Sequence, residues 1–318
     1  MKVNYAMLFP GQGAQTIHMC QRIYQEKESA RQLFNRSSEI LGYDIWEIIN
    51  SGHLRTLTQT PIAQPAVFIT SYLMFLDFME KCGIFPKAVV GHSLGEISAL
   101  VCAGGIEFEA ALIFIKQRAE LMDKVAGEKV GFSGLITDLK EEDVAKLLNE
   151  LNQLGYVSIS GYNSPKQFIV AGVSTIEKNL DKEVAKLGGE YIPFRMIPMK
   201  VSAPYHTKLM KNYDSRIKDY VSQLQFKDLK IPVLSTVNGD FIKSSSEIPE
   251  LLIQQMSSPV LWNKTMKMVM NYGYDFLVDI GPSSIMKNLV LESNSSCEVY
   301  AFDEEEAKIV DLLKSPTR

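Results

Sequence analysis

The chain has 318 residues, long enough to bury a full core as one large domain or two smaller ones. It is 46% hydrophobic and 22% charged, and its net charge of −4 excludes a general nucleic-acid binder, which would carry a basic excess. The four cysteines are widely spaced, so free thiols in a reducing, cytoplasmic setting are expected and a metal or disulfide framework is not.

In chain order, 5–9 is an apolar run stopped by Pro10-Gly11-Gln12-Gly13. It reads as a buried strand entering a turn that lacks the third glycine of a dinucleotide fingerprint. The run at 3–10 is too short for a signal peptide. A helix is expected over 26–41 and a short one over 43–50. The stretch 60–65, with Pro61 and Pro65, is expected to break the chain before a long helix over 66–81. Asp77, Glu80 and Lys81 interrupt the apolar region 67–85, which therefore reads as a core helix and not a membrane span.

The stretch 87–96 (Lys-Ala-Val-Val-Gly-His-Ser-Leu-Gly-Glu) then runs strand, Gly-x-Ser-x-Gly turn, helix. That is the setting of a nucleophile elbow, in which Ser93 stands at a helix N-terminus where negative charge is favoured. A glycine-rich strand–helix turn with an incidental serine is the alternative. In the next helix Phe108, Ala111, Ile115, Arg118, Met122 and Val125 form one stripe, so Arg118 lies on an apolar face. From spacing alone a structural salt bridge is the favoured reading, with a carboxylate clamp as the alternative.

Beyond 127–131 the texture changes. Strands are expected over 132–137, 156–160, 167–172 and 191–198, with helices over 141–151 and 176–187, the pattern of an inserted ferredoxin-like α+β unit. The return to the main domain brings Pro204-Tyr205-His206. The chain has four histidines, and with His18 and His53 in loops and His92 beside the serine, His206 is the base candidate by elimination. A strand over 231–236, helices over 248–255 and 263–270, and a strand over 276–280 follow; the charged tail is expected to fray. The whole is an α/β fold. A large α/β-hydrolase-like domain with a mostly parallel sheet (1–127 and 200–318) carries a small ferredoxin-like subdomain (128–199).

Several of these stretches recur together in one family. Phe9-Pro10-Gly11-Gln12-Gly13, Gln64-Pro65-Ala66, Gly91-His92-Ser93-Leu94-Gly95-Glu96, Gln117-Arg118, Asn163-Ser164-Pro165, Pro204-Tyr205-His206, Gln255-Met256-Ser257-Ser258-Pro259-Val260 and Asp279-Ile280-Gly281-Pro282 stand in its order. The chain resembles the malonyl-CoA:acyl carrier protein transacylases, including the free-standing acyltransferases of polyketide synthases. The resemblance implies a ping-pong reaction. Ser93 attacks an acyl-CoA with His206 as base, and the phosphopantetheine thiol of an acyl carrier protein then takes the acyl group. It further implies an oxyanion hole from the N–H groups of Gln12 and Leu94, a main-chain carbonyl at Gln255 orienting His206, and Arg118 gripping the malonyl carboxylate. Gln64 and Asn163 match polar residues near the site. No metal or bound cofactor is implied, and a monomer is expected.

Tyr205 stands where phenylalanine is common, and Gly131-Phe132-Ser133-Gly134-Leu135 where Gly-x-Met-x-Ala is usual. The Tyr205 and Ser133 hydroxyls raise the expectation of a polar 2-substituted unit, hydroxymalonyl or aminomalonyl, delivered on coenzyme A or on a carrier protein, beside plain malonyl. A housekeeping fatty-acid enzyme, an editing acyl hydrolase of the same fold and a non-catalytic carrier-docking subunit are the alternatives. Arg195, Lys200, Lys208 and Lys211 are candidates to receive an acidic carrier protein.

Overall fold

Strand β1 (Tyr5–Phe9) is buried at every position, as a central strand covered on both faces must be. In the computed structural model, which describes residues 3–129, 131–197 and 201–314, it is the middle of a five-stranded parallel sheet. Its partners are β2 (Ala88–Gly91) and β8 (Phe276–Asp279), with β7 (Val233–Leu234) outside β2 and β9 (Val299–Ala301) outside β8. Tyr5, Met7 and Phe9 pack into one apolar layer, and Ala6 and Leu8 into the other. Phe9 pairs with Gly91 and Leu8 with Asp279, so the turns after β1, β2 and β8 open side by side at the carboxyl edge of the sheet. Ligand sites of open α/β sheets lie at that edge.

The second sheet is built from β3 (Gly131–Thr137), β4 (Val157–Ser164), β5 (Gln167–Val173) and β6 (Glu190–Pro193), with helices Glu141–Leu151 and Glu177–Lys186 between them. All its pairings are antiparallel and its spatial order is β4-β5-β3-β6, which makes it the expected ferredoxin-like unit. It has its own apolar cluster around Phe132, Phe168 and Leu180. Reciprocal bonds at Ser160–Val260 (3.0 Å) and Tyr162–Val260 (2.9 Å) join it to the larger sheet's segment.

Five expectations need correction. The long helix begins at Thr60 and runs to Cys82, straight through the two prolines. Pro61 sits in the first turn, where a missing N–H costs nothing. Pro65 leaves the Pro61 carbonyl without its helical donor, and the Tyr43 hydroxyl supplies one at 2.9 Å. By length and composition this helix could cross a membrane, but 78% of its most apolar window is buried within the protein. The expected 26–41 helix is two helices, Gln21–Glu26 and Glu28–Leu41.

The expected strand 231–236 pairs only at Val233–Leu234. Ser235 leaves the ladder to bond Asp240 O, and the Ser235 and Thr236 hydroxyls turn to Glu96. The tail does not fray within the described residues: β9 leads into a helical segment, Phe302–Lys314, kinked at Glu305, that buries Phe302, Ile309 and Leu313. Its Glu306 meets Lys81 and Arg22. The expected strand 191–198 is a strand only at Glu190–Pro193 and turns into a 3-10 helix at Phe194–Met196, while Pro198 and Lys200 lie outside the described residues.

Candidate active site

β2 ends at Gly91, and the helix Leu94–Cys102 starts three residues past it. Ser93, between them, has φ 53° and ψ −109°, a conformation that a residue with a Cβ holds only when its surroundings enforce it. The glycines make the enforcement possible. A Cβ on Gly91 would lie 1.9 Å from the Gly95 carbonyl carbon, and one on Gly95 would lie 2.1 Å from Phe9 O. The turn therefore closes only with glycine at both places, pressed against the end of β1.

The Ser93 hydroxyl lies 2.8 Å from Nε2 of His206. Nδ1 of that ring lies 2.7 Å from the main-chain carbonyl of Gln255. A carbonyl only accepts, so Nδ1 carries the proton and Nε2 presents its lone pair to Ser93. His206 also has positive φ, 59°, and its N–H is pinned to Met256 O at 2.9 Å. Burial, then the nearby Arg118 charge, pushes the His206 pKa down to about 3, which the Gln255 carbonyl offsets only in part. The imidazole is neutral at physiological pH and needs no acid partner to be so.

Arg118 is 1% exposed and points at the same hydroxyl. Nη1 donates to Gln64 Oε1 (2.7 Å), and Nη2 to Gln255 Oε1 (3.0 Å) and to Ser93 Oγ (3.2 Å). Burial lowers its pKa to about 10, so the group keeps its charge. Among the described residues no carboxylate pairs with it, and the salt bridge that spacing favours is not formed. A buried guanidinium held by neutral acceptors beside a nucleophile can receive an anion brought by a ligand.

Gln12 lines the pocket and is held by side-chain bonds with Gln64 (3.1 Å) and Thr60 (3.1 Å). Among the described residues the backbone N–H groups of Gln12 and Leu94 have no protein acceptor, and both residues border the pocket that Ser93 opens into. The pocket's apolar wall comes from Met122, Ile169, Phe194, Val201 and the Tyr205 ring.

The two hydroxyls expected to meet a polar extender unit are both bonded within the protein. The Tyr205 hydroxyl donates its proton to the Met122 carbonyl at 2.6 Å, and both residues line the pocket. Ser133 is outside the pocket wall, its hydroxyl accepting from Ala203 N–H at 3.2 Å. The neighbouring Gly134 leaves no room for a Cβ, which would lie 2.4 Å from the Tyr191 ring. Asn163 stands behind the site, its Oδ1 3.1 Å from His92 Nε2 and its amide donating to Gln167.

Sequence reasoning missed the pocket face of Ile169 and Phe194, which come from the small sheet. It missed also the Gln255 side chain and the buried Glu96. Glu96 was within reach: a carboxylate one turn past the serine, in an otherwise apolar helix, has to find donors.

Comparison with known proteins agrees with this geometry. A malonyl CoA-acyl carrier protein transacylase of Bacillus subtilis is 32% identical over 302 residues, 95% of this chain and 94% of its own length. The solved malonyl CoA-acyl carrier protein transacylase of Coxiella burnetii superposes with a TM-score of 0.93 at 26% identity, covering 99% of both chains. A malonyl-transacylase solved in complex with its type II polyketide synthase acyl-carrier protein gives 0.91 at 29% identity, covering 98% of this chain and all of that one. Residues 6–317 match the acyl transferase domain, and the chain belongs to that family, as an acyltransferase akin to the malonyl transacylases.

Proposed function

We propose that the chain moves a malonyl group from coenzyme A, through an ester on Ser93, to the phosphopantetheine thiol of an acyl carrier protein. The observation that carries this reading is the Arg118 cation, buried with no carboxylate partner among the described residues and 3.2 Å from the Ser93 hydroxyl. A thioester carbonyl over Ser93 leaves the free carboxylate of a malonyl group within reach of Arg118. That carboxylate takes the second Nη1 hydrogen and the Nη2 hydrogen now spent on Ser93.

His206 Nε2 accepts the Ser93 proton as Oγ attacks the thioester carbon, and the oxyanion forms toward the N–H groups of Gln12 and Leu94. Collapse expels the coenzyme A thiolate, which takes the proton back from Nε2. The carrier thiol then gives its proton to Nε2, attacks the seryl ester and regenerates Ser93.

The Tyr205–Met122 bond supports plain malonyl over a hydroxymalonyl or aminomalonyl unit, because the hydroxyl is spent and the ring stays as the wall. The small unit (128–199) closes the pocket with Ile169 and Phe194, while 1–127 and 200–318 carry the chemistry. Carrier docking at Lys208 and Lys211 fits an acidic partner; Arg195 is already paired with Glu177. The likeness to the polyketide-synthase transacylase supports a polyketide setting, and a fatty-acid carrier fits the same site equally well. A cytoplasmic setting fits the four free thiols.

The test is transfer from malonyl-, methylmalonyl-, hydroxymalonyl- and acetyl-CoA to a holo carrier protein. Malonyl is expected to lead in kcat/KM. Acetyl leading, or free acid released in place of acyl carrier, would overturn the reading.

A further inference from the structure

Glu96 lies on the first turn of the Leu94–Cys102 helix and is 2% exposed. Its carboxylate accepts from Ser235 Oγ at 2.5 Å, from Thr236 Oγ1 at 2.7 Å and from Thr236 N–H at 3.2 Å. The Gln255 side-chain amide stands beside this turn: its Nε2 and the Glu96 N–H both donate to Ser93 O, each at 3.0 Å, which brings the amide close enough to help hold the Glu96 pKa down. Among the described residues no cation pairs with it directly. Burial pushes its pKa up and these donors pull it back.

The same Gln255 amide accepts from Arg118 Nη2 through Oε1 at 3.0 Å, and through Nε2 donates to Ser93 O at 3.0 Å. It is thus set head to tail between a cation and an anion, its oxygen on the guanidinium and its NH2 at the helix turn that carries the carboxylate. Two buried charges of opposite sign are kept apart by one amide.

We infer that Glu96 is a positioning residue for Arg118: acting through the Gln255 amide, it supplies the counter-charge while leaving the guanidinium's carboxylate-binding edge open. The inference rests on the reading of Arg118 as a carboxylate clamp. A glutamate in direct contact would form a bidentate pair and occupy the edge a substrate carboxylate needs. With no anion nearby, the buried guanidinium would carry its whole desolvation cost. One intervening amide meets both demands. Gln255 reaches His206 through its main-chain carbonyl and Arg118 through its side chain. A change at Glu96 therefore disturbs the clamp first and the base second.

The test measures KM and kcat for malonyl-CoA and acetyl-CoA in the wild type, Glu96→Gln, Gln255→Glu and Arg118→Ala, with thermal melts of each. Glu96→Gln keeps the size and removes the charge. Its malonyl-CoA KM is expected to rise about tenfold, the equivalent of one weakened charge-assisted hydrogen bond, with a smaller change in kcat and in acetyl transfer. Gln255→Glu sets a carboxylate directly on Arg118. It is expected to lower the malonyl-to-acetyl preference further, and it carries the test if the Glu96 variant does not fold. Equal losses for both substrates in Glu96→Gln, or a lowered melting temperature with an unchanged preference, would reduce Glu96 to a structural residue and overturn the inference. If Arg118→Ala itself leaves the preference unchanged, the clamp reading fails and the Glu96 inference falls with it.

Discussion

Replacing Arg118 with alanine separates recognition of the acyl group from acyl transfer itself. In the free protein three of the guanidinium's hydrogens are spent, on Gln64, Gln255 and Ser93. A malonyl carboxylate gains one unspent Nη1 hydrogen and displaces the Ser93 contact, making two charge-assisted bonds. At about 1.5–3 kcal/mol each, their loss is worth about 3–6 kcal/mol. Since about 1.4 kcal/mol is a factor of ten, malonyl kcat/KM should fall by roughly 10²–10⁴.

Acetyl has no carboxylate, so its transfer loses only what the repacking of Gln64 and Gln255 costs, about tenfold or less. The assay is transfer of each acyl group to holo carrier protein at fixed pH, with a melt to show that the variant is folded. A folded variant that loses both activities by the same factor would refute the clamp and return Arg118 to a structural role.

Three further predictions concern the base, the pocket wall and stability. Because burial and Arg118 hold the His206 pKa at about 3, below the ordinary 6.5, the base stays unprotonated well into acid. The falling acid limb of kcat/KM should lie far below pH 6.5 and move upward in Arg118→Ala; a wild-type limb at 6.5 or above would contradict this. Tyr205→Phe keeps the ring and removes the bond to Met122 O. It should cost about 1 kcal/mol in urea unfolding and leave malonyl transfer within a few-fold, whereas a collapse of malonyl transfer would mean the hydroxyl meets substrate.

Asp77 is buried against Lys27 Nζ (2.5 Å) and Lys81 Nζ (2.8 Å). Burial alone would raise its pKa, but the two ammonium groups outweigh it and the net shift is downward. Its stabilisation is therefore present above the unfolded value of 3.8 and lost as pH falls through the lower folded value. Asp77→Asn should cost about 1–3 kcal/mol at pH 7, less than a fully buried pair because both lysines are partly exposed. The gap should close in strong acid; a gap that does not depend on pH would show that packing, not charge, is what Asp77 contributes.

Much of this architecture is written locally. The 5–9 run and the elbow are legible because buried parallel strands are continuously apolar and the tight turn demands glycine. The Glu141–Leu151 helix and the strands around it give the ferredoxin-like unit for the same reason of local period. What was not legible depends on a partner distant in sequence. Pro65 breaks a helix on propensity, yet here it is absorbed, because Tyr43 supplies the missing donor.

The tail reads as a charged end until Lys81, Arg22 and Lys287 are seen facing its glutamates. Ser133 and Tyr205 carry hydroxyls whose direction no spacing rule encodes. Only the fold shows them bonded to Ala203 and Met122. The largest gap is the Glu96–Gln255–Arg118 chain, assembled from three separate helices, in which each residue alone looks like an isolated buried polar group.

The central claim is that Ser93 carries the acyl group between donor and carrier. Its most direct test is intact-protein and peptide mass spectrometry of the chain after brief exposure to malonyl-CoA and acid quenching, followed by a chase with holo carrier protein. One malonyl group on the peptide containing Ser93, emptied by the carrier and absent in Ser93→Ala, is the predicted result. A malonyl group elsewhere, or carrier loading that persists in Ser93→Ala, would contradict it.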